Sequence, residues 1–594
     1  MTMRDPRYAP RRLDVDRRAD GSILLHNPTP LDLSFRTTLD ALDHWAAATP
    51  RSPWLAERSG ADWRIVDFGE ARETVEALAG GLAGLGLAGG APLLILARNG
   101  IDHGLLAFAA MSLGIPVAAV SPQYGMAGAD LTRLAHAVRV LAPDSVYVDD
   151  AVVFAGALEA EVLAGLPVIA GRNGRGRDVA FDALLKAAPS RARPAPDAIA
   201  KLLLTSGSTG APKAVMCLHA AVAANAAQVA ACYADPEPPV VVNQAPWSHS
   251  LGANAILQMV LHRGGTLYID AGAPVAGRQG ETVRNLTEIA PTYHNMVPAG
   301  WDLLAGELER DAALARTFFS RVRVLQYGGA ALGQSTCDRI QAVARRTVGE
   351  TISFASGYGA TETGPTATNV HWPNQTMGLM GLPVPGTTVK LVAAQGRWEF
   401  RVKGPQLSAG YYRNPLATAA AFDDEGFYQL GDAARLIDPD DVARGLAFDG
   451  RLSENFKLSS GTFVNVGALR VAAVSAMSGV ATDAVVCGEG QSGVGLLVFL
   501  SAPQCRALAG ETGAFADHPA VRDVVRSGLQ RYNAAGGGGG SKVARALILS
   551  DAPSQDAGEI TDKGYINQTL ARDRRAGDIV RLFAEPPTSE VMTF

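Results

Sequence analysis

The hydrophobic positions of this chain follow two periods in turn. Residues 67–87 carry apolar side chains three and four apart, a spacing that predicts an amphipathic helix. A short apolar run follows at 92–96, then a helical stretch at 101–113 and a second apolar run at 115–120. Apolar runs alternating with helices predict a parallel sheet with helices on its faces. The same texture returns around candidate strands at 199–204, 240–242, 266–269, 322–325 and 352–354, with no fixed-period repeat. Past about residue 386 the texture changes. Segments 388–392 and 398–402 flank a Gln-Gly turn and predict an antiparallel hairpin, and 434–437 and 446–448 also read as β. Beyond Asp449-Gly450-Arg451 come a helix at 467–477, strands at 484–487 and 495–500, a further helix, a glycine run at 536–540 and a strand at 544–549. The expected architecture is therefore α/β: a large N-terminal domain, 1–450, of parallel-rich sheets with flanking helices and a β-subdomain, and a small α+β C-terminal domain, 451–594. The glycine run reads equally as a flexible loop or as an element near a ligand.

Length changes the picture only by requiring more than one core, since 594 residues exceed an ordinary domain. With 47% hydrophobic and 19% charged residues the chain can bury a sizeable core, and disorder is disfavoured. A net charge of −5 with no long basic run argues against a nucleic-acid partner. It does not argue against a phosphate ligand, which needs only a local site. No apolar stretch is long enough to predict a membrane span, and the charged N-terminal segment lacks the apolar core of a secretory signal. Cys217, Cys232, Cys337, Cys487 and Cys505 are scattered with no CxxC pair, which reads as reduced thiols in a cytoplasmic protein. Oligomeric state is left open, a homodimer being the ordinary expectation.

The most informative segment runs KLLLTSGSTGAPKAVM. An apolar strand leads straight into Thr205, Ser206, Gly207, Ser208, Thr209 and Gly210. Small residues let the backbone curl so that several N–H groups face one anion; four hydroxyls add donors and Lys213 adds a charge. The spacing is not that of a Walker A loop, which disfavours a P-loop kinase or ATPase. The string resembles the phosphate loop of the adenylate-forming superfamily, which contains acyl-CoA synthetases, peptide-synthetase adenylation domains and beetle luciferases.

Further strings stand in that superfamily's order. Tyr358-Gly359-Ala360-Thr361-Glu362 is similar to its YGxTE, which implies that Thr361 meets phosphate and Glu362 meets Mg2+; the plain alternative is a helix start capped by Thr361. Tyr428-Gln429-Leu430-Gly431-Asp432 resembles Y-R-T-G-D, where the aspartate takes the ribose hydroxyls, although Gln429 and Leu430 depart from the usual pair. The stretch from Gly450 and Arg451 to Lys457, followed by Ser460 and Gly461, resembles the hinge between large and small domains, with the hinge position on Ser453 where Asp or Lys is usual. Arg451 would pair with ribose or phosphate oxygens, and Ser460-Gly461-Thr462 would lie near a pantetheine tunnel. Tyr327-Gly328-Gly329-Ala330-Ala331 sits where the superfamily places its adenine-binding glycines.

In the acyl pocket, Pro246-Trp247-Ser248-His249-Ser250-Leu251-Gly252-Ala253 falls where the superfamily carries a histidine or aromatic gate, with Val297 and Gly357 in further pocket-lining segments. Near the C-terminus, Gly558-Glu559-Ile560-Thr561-Asp562-Lys563-Gly564 corresponds to the loop of the adenylation lysine. Lys563 is the candidate because a cation is needed against charge on the transferred phosphate; one register puts Glu559 there instead, and Lys542 is the fallback.

PWSHSLGAN, GGTLYID, FDGRLSENFKLSSGTFVNVGALR and DAGEITDKGYINQ together resemble bacterial feruloyl-CoA synthetase over most of the chain. Ser248 and the stretch Ser356-Gly357-Tyr358 depart from it. The resemblance implies ATP, Mg2+ and coenzyme A as cofactors, a mobile small domain, and a ferulate- or 4-coumarate-like acid. Catalysis would rest on Lys563, Thr361, Glu362 and His249. No carrier domain is visible, so the expected acceptor is free CoA. Two readings compete: adenylation of another acid or for another acceptor, and an inactive relative that only binds nucleotide or acyl ligand.

Overall fold

The computed structural model describes residues 2–594 apart from 88, 206–211, 276, 331, 395, 511–513, 537, 555–558 and 561–565. The chain divides into two compact units. The first comprises Met1–Leu391, Arg401–Leu430 and Asp438–Leu446; the second comprises Val392–Phe400, Gly431–Ile437 and Ala447–Phe594.

In the first unit, the helix Phe68–Gly84 starts where Asp67 accepts a hydrogen bond from the Glu70 amide, and it buries Phe68, Ala71, Val75, Leu78 and Leu82 on one side. Helix Ile101–Ser112 is buried nearly all round, as its continuous apolar sequence requires. These helices and Thr38–Ala48 enclose a core that includes Trp54, Phe68 and Phe108, where Trp54 stacks on Phe68 and meets Phe108 edge-on. A seven-stranded sheet runs in the order Lys213–Leu218, Ile199–Thr205, Val117–Ala119, Leu93–Ile95, Ser145–Val148, Val168–Ala170, Val179–Ala180. All its pairings are parallel except that of the edge strand Lys213–Leu218, which runs antiparallel to Ile199–Thr205. Sequence pattern predicts no strand at 213–218; it forms because the chain folds straight back beside its predecessor. A second sheet orders Val240–Asn243, Thr266–Ile269, Pro53–Ser59 and Asp62–Asp67. A third ladder aligns Tyr293–Met296, Val324–Tyr327 and Ser353–Tyr358 in parallel, so that Met296, Tyr327 and Ser356 stand level at their C-terminal ends.

The second unit is built on the sheet Ala481–Cys487, Val494–Leu500, Val543–Ile548, Val591–Thr593. Both faces are covered. Val486, Leu496, Val498 and Ala546 pack on one side with Val521 and Val525 of helix Pro519–Ala534; Val485, Leu497, Phe499 and Leu547 pack on the other with Leu582. Burial on both faces is why these strands read as unbroken apolar runs. Within the glycine run, Gly540 is buried and a Cβ there would stand 2.2 Å from the Phe463 carbonyl oxygen, so close backbone approach demands glycine at that position.

Candidate active site

The chemistry collects at strand ends in the first unit. Thr205 ends its strand directly opposite Lys213, with its hydroxyl 3.5 Å from the Lys213 carbonyl oxygen. The pair forms the neck of the phosphate-loop string; Ser206, Gly207, Ser208, Thr209 and Gly210 lie outside the described residues. The Lys213 ammonium sits 4.5 Å over the ring of Tyr411, a cation–π contact. Tyr411 is carried beside the hairpin by main-chain bonds, Met216 N to Gly410 O at 2.9 Å and Tyr412 N to Ala214 O at 2.8 Å.

Tyr411 joins the lysine to the acid. Its hydroxyl donates to Glu362 Oε1 at 2.9 Å and lies 3.0 Å from the Tyr428 hydroxyl. A phenol has one proton to give, so Tyr428 donates to Tyr411. Burial raises both phenols above their usual value, and the adjacent Glu362 carboxylate raises them further, so both stay protonated. Glu362 itself is only 7% exposed.

Thr361 and Glu362 open a 3-10 turn, Thr361–Thr363. The helix-cap alternative assigns Thr361 to the cap, but Thr363 performs it: its hydroxyl accepts from the Ala360 amide at 2.8 Å. The Thr361 hydroxyl instead shares a hydrogen bond with Ser250 at 3.0 Å, both residues being buried.

Ser250 precedes a π-helical turn, Leu251–Ile256. Such wide turns are frequent at functional sites. Gly252 is required there, because a Cβ would stand 2.4 Å from the Ala245 carbonyl oxygen. Asn99 fixes the preceding segment, accepting from the Trp247 amide at 2.8 Å and donating to the Ala245 carbonyl at 2.9 Å. His249 is half-buried, and its carbonyl accepts from the Ala253 amide at 2.9 Å. Leu251 lies 3.6 Å from where a Gly328 Cβ would be, which brings this turn against the Tyr327-Gly328 strand end. Tyr327 is buried and its hydroxyl accepts from the Gly378 amide at 3.0 Å. A Gly357 Cβ would lie 3.3 Å from Gln326 Nε2. Val297 follows directly on Met296, Gly329 and Ala330 follow Tyr327, and Tyr358 ends its strand before Gly359. Ala331 lies outside the described residues.

In the second unit Arg451 Nε is 3.4 Å from Asp432 Oδ1. Glu454 stands nearby in the turn Leu452–Glu454 that holds Ser453; burial raises its carboxyl, and Arg451 partly offsets the rise. Lys457 is exposed, its ammonium 5.4 Å over the Phe463 ring, and Ser460 bonds Thr462 at 2.8 Å beside Gly461 in an exposed turn. Lys542 is also exposed, and Lys563 lies outside the described residues. Glu559 is 1% exposed and clamped by Arg575, with Nε to Oε1 at 2.7 Å and Nη2 to Oε2 at 3.1 Å. Glu559 is thus the ion-pair partner of Arg575.

A family model described as AMP-binding enzyme matches residues 42–412, more than half of the chain. The chain belongs to the AMP-binding enzyme family. That span holds Thr205, Lys213, Ser250, Thr361, Glu362 and Tyr411. This AMP-binding enzyme is 25% identical over 408 residues to the 4-coumarate–CoA ligase of Pinus taeda, covering 64% of this chain and 72% of the ligase. It is 28% identical over 305 residues to the carboxylic acid reductase of Mycobacterium tuberculosis, covering 46% of this chain and 24% of the reductase, so it spans about a quarter of that relative's length. In fold it matches the A domain of the carboxylic acid reductase of Segniliparus rugosus, solved with AMP and a co-purified carboxylic acid, with a TM-score of 0.75 at 20% identity, over 92% of this chain and 94% of that one. At that identity the likeness is one of fold. All five cysteines are free and buried, and among the described residues no helix is long and apolar enough to cross a membrane.

Sequence reasoning passed over Tyr411, Asn99 and Lys201. Tyr411 left a weak signal, an aromatic pair after Gly410, but its partner Glu362 is 49 positions away and no local pattern links them.

Proposed function

We propose that this protein is an ATP-dependent carboxylate–CoA ligase that forms AMP and acts on an aryl-propenoic acid such as ferulate or 4-coumarate through an acyl-adenylate. The observation that carries the reading is the array Lys213–Tyr411–Glu362 beside Thr361, in which the half-buried Lys213 starts its strand and Thr361 and Glu362 follow the end of Ser353–Tyr358, the kind of place where α/β folds bind ligands. The acid's carboxylate oxygen attacks the α-phosphorus of ATP, and the bond to the bridging oxygen of pyrophosphate breaks. Little covalent chemistry is asked of the protein; positioning and electrostatics carry the step. Lys213 and the Thr205 neck hold the departing phosphates, and Thr361 orients the α-phosphate. Asp432 takes the ribose hydroxyls. His249, Ser250, Gly252, Ala253 and the Tyr327-Gly328 strand end form the acyl pocket. Lys563 supplies the adenylation cation, and the hinge lies near Ser453 between a large domain, 1–450, and a small one, 451–594.

Glu362 fits Mg2+. Among the described residues no group of three or more His, Cys, Asp or Glu could cage a metal, and a cation bound chiefly through phosphate oxygens and water needs only one or two carboxylates. When bound there, Mg2+ would offset negative charge on the phosphates. Free CoA is the proposed acceptor, and the cytoplasm the proposed compartment.

A second reading keeps the adenylation and changes the acceptor to the thiol of a carrier; the chain is similar to a carboxylic acid reductase as well as to a CoA ligase. One assay separates them: pyrophosphate release with ATP and Mg2+ across ferulate, 4-coumarate, caffeate, benzoate and octanoate, with and without CoA. Hydroxycinnamate-driven release, with acyl-CoA formed on adding CoA, is expected. Adenylate that free CoA does not discharge favours the carrier reading. Release with benzoate or octanoate alone overturns the substrate class. No release with any acid, together with ATP binding, favours an inactive relative.

A further inference from the structure

Lys201 has no part in the chemistry above, yet the fold holds it in an expensive place. It stands in the strand Ile199–Thr205 with Cys217 and Val117 opposite it on the two neighbouring strands, and it is 5% exposed. Burying an ammonium is costly unless it is well partnered. Among the described residues Cys217 favours its charge, and no carboxylate is found beside it in that role. Its hydrogen bonds go instead to the Ala253 carbonyl oxygen at 2.7 Å and to Asn254 Oδ1 at 3.1 Å.

Both acceptors lie inside the π-helical turn Leu251–Ile256. At one end of that turn Ser250 meets Thr361, and Leu251 lies against the Gly328 backbone. At the other end of the tether, Lys201 shares a strand with Thr205, which stands opposite Lys213. One ammonium thus bridges the strand that feeds the phosphate-loop neck and the turn that walls the acyl pocket. We propose that Lys201 is a positioning residue whose ammonium pins the turn Leu251–Ile256 to the strand Ile199–Thr205, and so sets where the carboxylic acid lies relative to Thr361. This inference rests on the acid-activating function proposed above.

The groups facing Lys201 leave it as the one that changes charge near neutral pH. Burial pushes His103, on helix Ile101–Ser112, and His219, which opens helix His219–Ala230, down to about 4, and both stay neutral. Burial pushes the Cys217 thiol, on strand Lys213–Leu218, up to about 11. Asn254, in the wide turn, does not titrate. Burial lowers Lys201 itself to about 8. As pH rises through that value the proton leaves Nζ, and two charge-assisted hydrogen bonds become weaker neutral ones.

The test uses the full chain and K201M, with hydrogen exchange and steady-state kinetics. In K201M the amides of 248–257 should lose about tenfold or more of their protection, while 134–148 keeps its own. The KM for the acid should rise about tenfold with the KM for ATP nearly unchanged. Wild-type kcat/KM for the acid should fall on the alkaline side with a midpoint near 8, and that limb should vanish in K201M. Unchanged protection, a parallel rise in both KM values, or an alkaline limb that survives in K201M would each overturn the proposal. If K201M does not fold, wild-type protection of 248–257 at pH 7 and pH 9.5, corrected for intrinsic exchange, decides: no selective loss at the higher pH overturns it. If wild-type protein releases no pyrophosphate with any acid, the functional reading fails, and the exchange result alone decides whether the tether exists.

Discussion

The Tyr411 hydroxyl lies between an acceptor, Glu362, and a donor, Tyr428, and its ring lies beneath a cation; each contact has a different physical origin. Its proton goes to Glu362, its oxygen accepts from Tyr428, and its ring faces Lys213. Tyr411→Phe removes the first two and keeps the third. Glu362, 7% exposed, then loses one of its donors in a largely buried place. The expected result is a fall of about 10–100-fold in kcat for pyrophosphate release, with the fold retained; steady-state assays and circular dichroism read the two. An unchanged kcat would remove Tyr411 from the site. Neither phenol should contribute an ionisation to the pH–rate profile below pH 9, because burial raises both.

At the scale of elements, Glu559 shows how a buried ion pair ties a short segment to the end of the helix Gln568–Arg574. Glu559 binds Arg575 through both carboxylate oxygens, accepts from the Ser554 amide at 2.8 Å, and takes the Asn567 amide on its own carbonyl at 2.9 Å. Ile560 pairs with Ile566 to close a neck. Glu559→Ala takes the buried carboxylate from a guanidinium that keeps Asp551 at 2.6 Å, and should destabilise the second unit by about 1–3 kcal/mol, read by denaturant unfolding. Burial by itself raises the Glu559 carboxyl, but the bonds from Arg575 and Ser554 outweigh it, and the net shift is downward from 4.5. A carboxyl lowered on folding adds stability that is full above its unfolded value and fades as the pH falls through its folded one. Wild-type protein should therefore lose stability more steeply than E559A as the pH drops below about 4.5. The elements with strong periodicity, such as Phe68–Gly84 and Ile101–Ser112, are legible in sequence because packing on one core dictates their pattern. The edge strand Lys213–Leu218 is not, because it exists only as the return arm of a hairpin with Ile199–Thr205, and the π-helical turn is not, because it is held by Lys201, 52 positions before Ala253.

At the scale of the whole molecule, the second unit draws on three separate stretches, Val392–Phe400, Gly431–Ile437 and Ala447–Phe594. A truncation after residue 450 therefore strands two β segments without most of the unit they belong to. Fragment 1–450 should aggregate where the full chain does not, as size-exclusion chromatography would read; a monodisperse fragment would argue that the two short stretches fold without the rest. The sequence by itself determined the α/β class, the order of the apolar strands and helices, and the identity of the hydroxyls, the lysine and the carboxylate that the resemblance points to, because periodicity and short motifs are local properties. Only the tertiary structure decided that Tyr411 bridges Lys213 and Glu362, that Thr361 turns to Ser250 instead of capping its own turn, that Glu559 is locked to Arg575, and that Lys201 is buried against Ala253 and Asn254. Each of those is a polar contact, whether hydrogen bond, ion pair or cation–π, that local sequence pattern does not specify, and its strength comes from a desolvation that exists only once the core has closed.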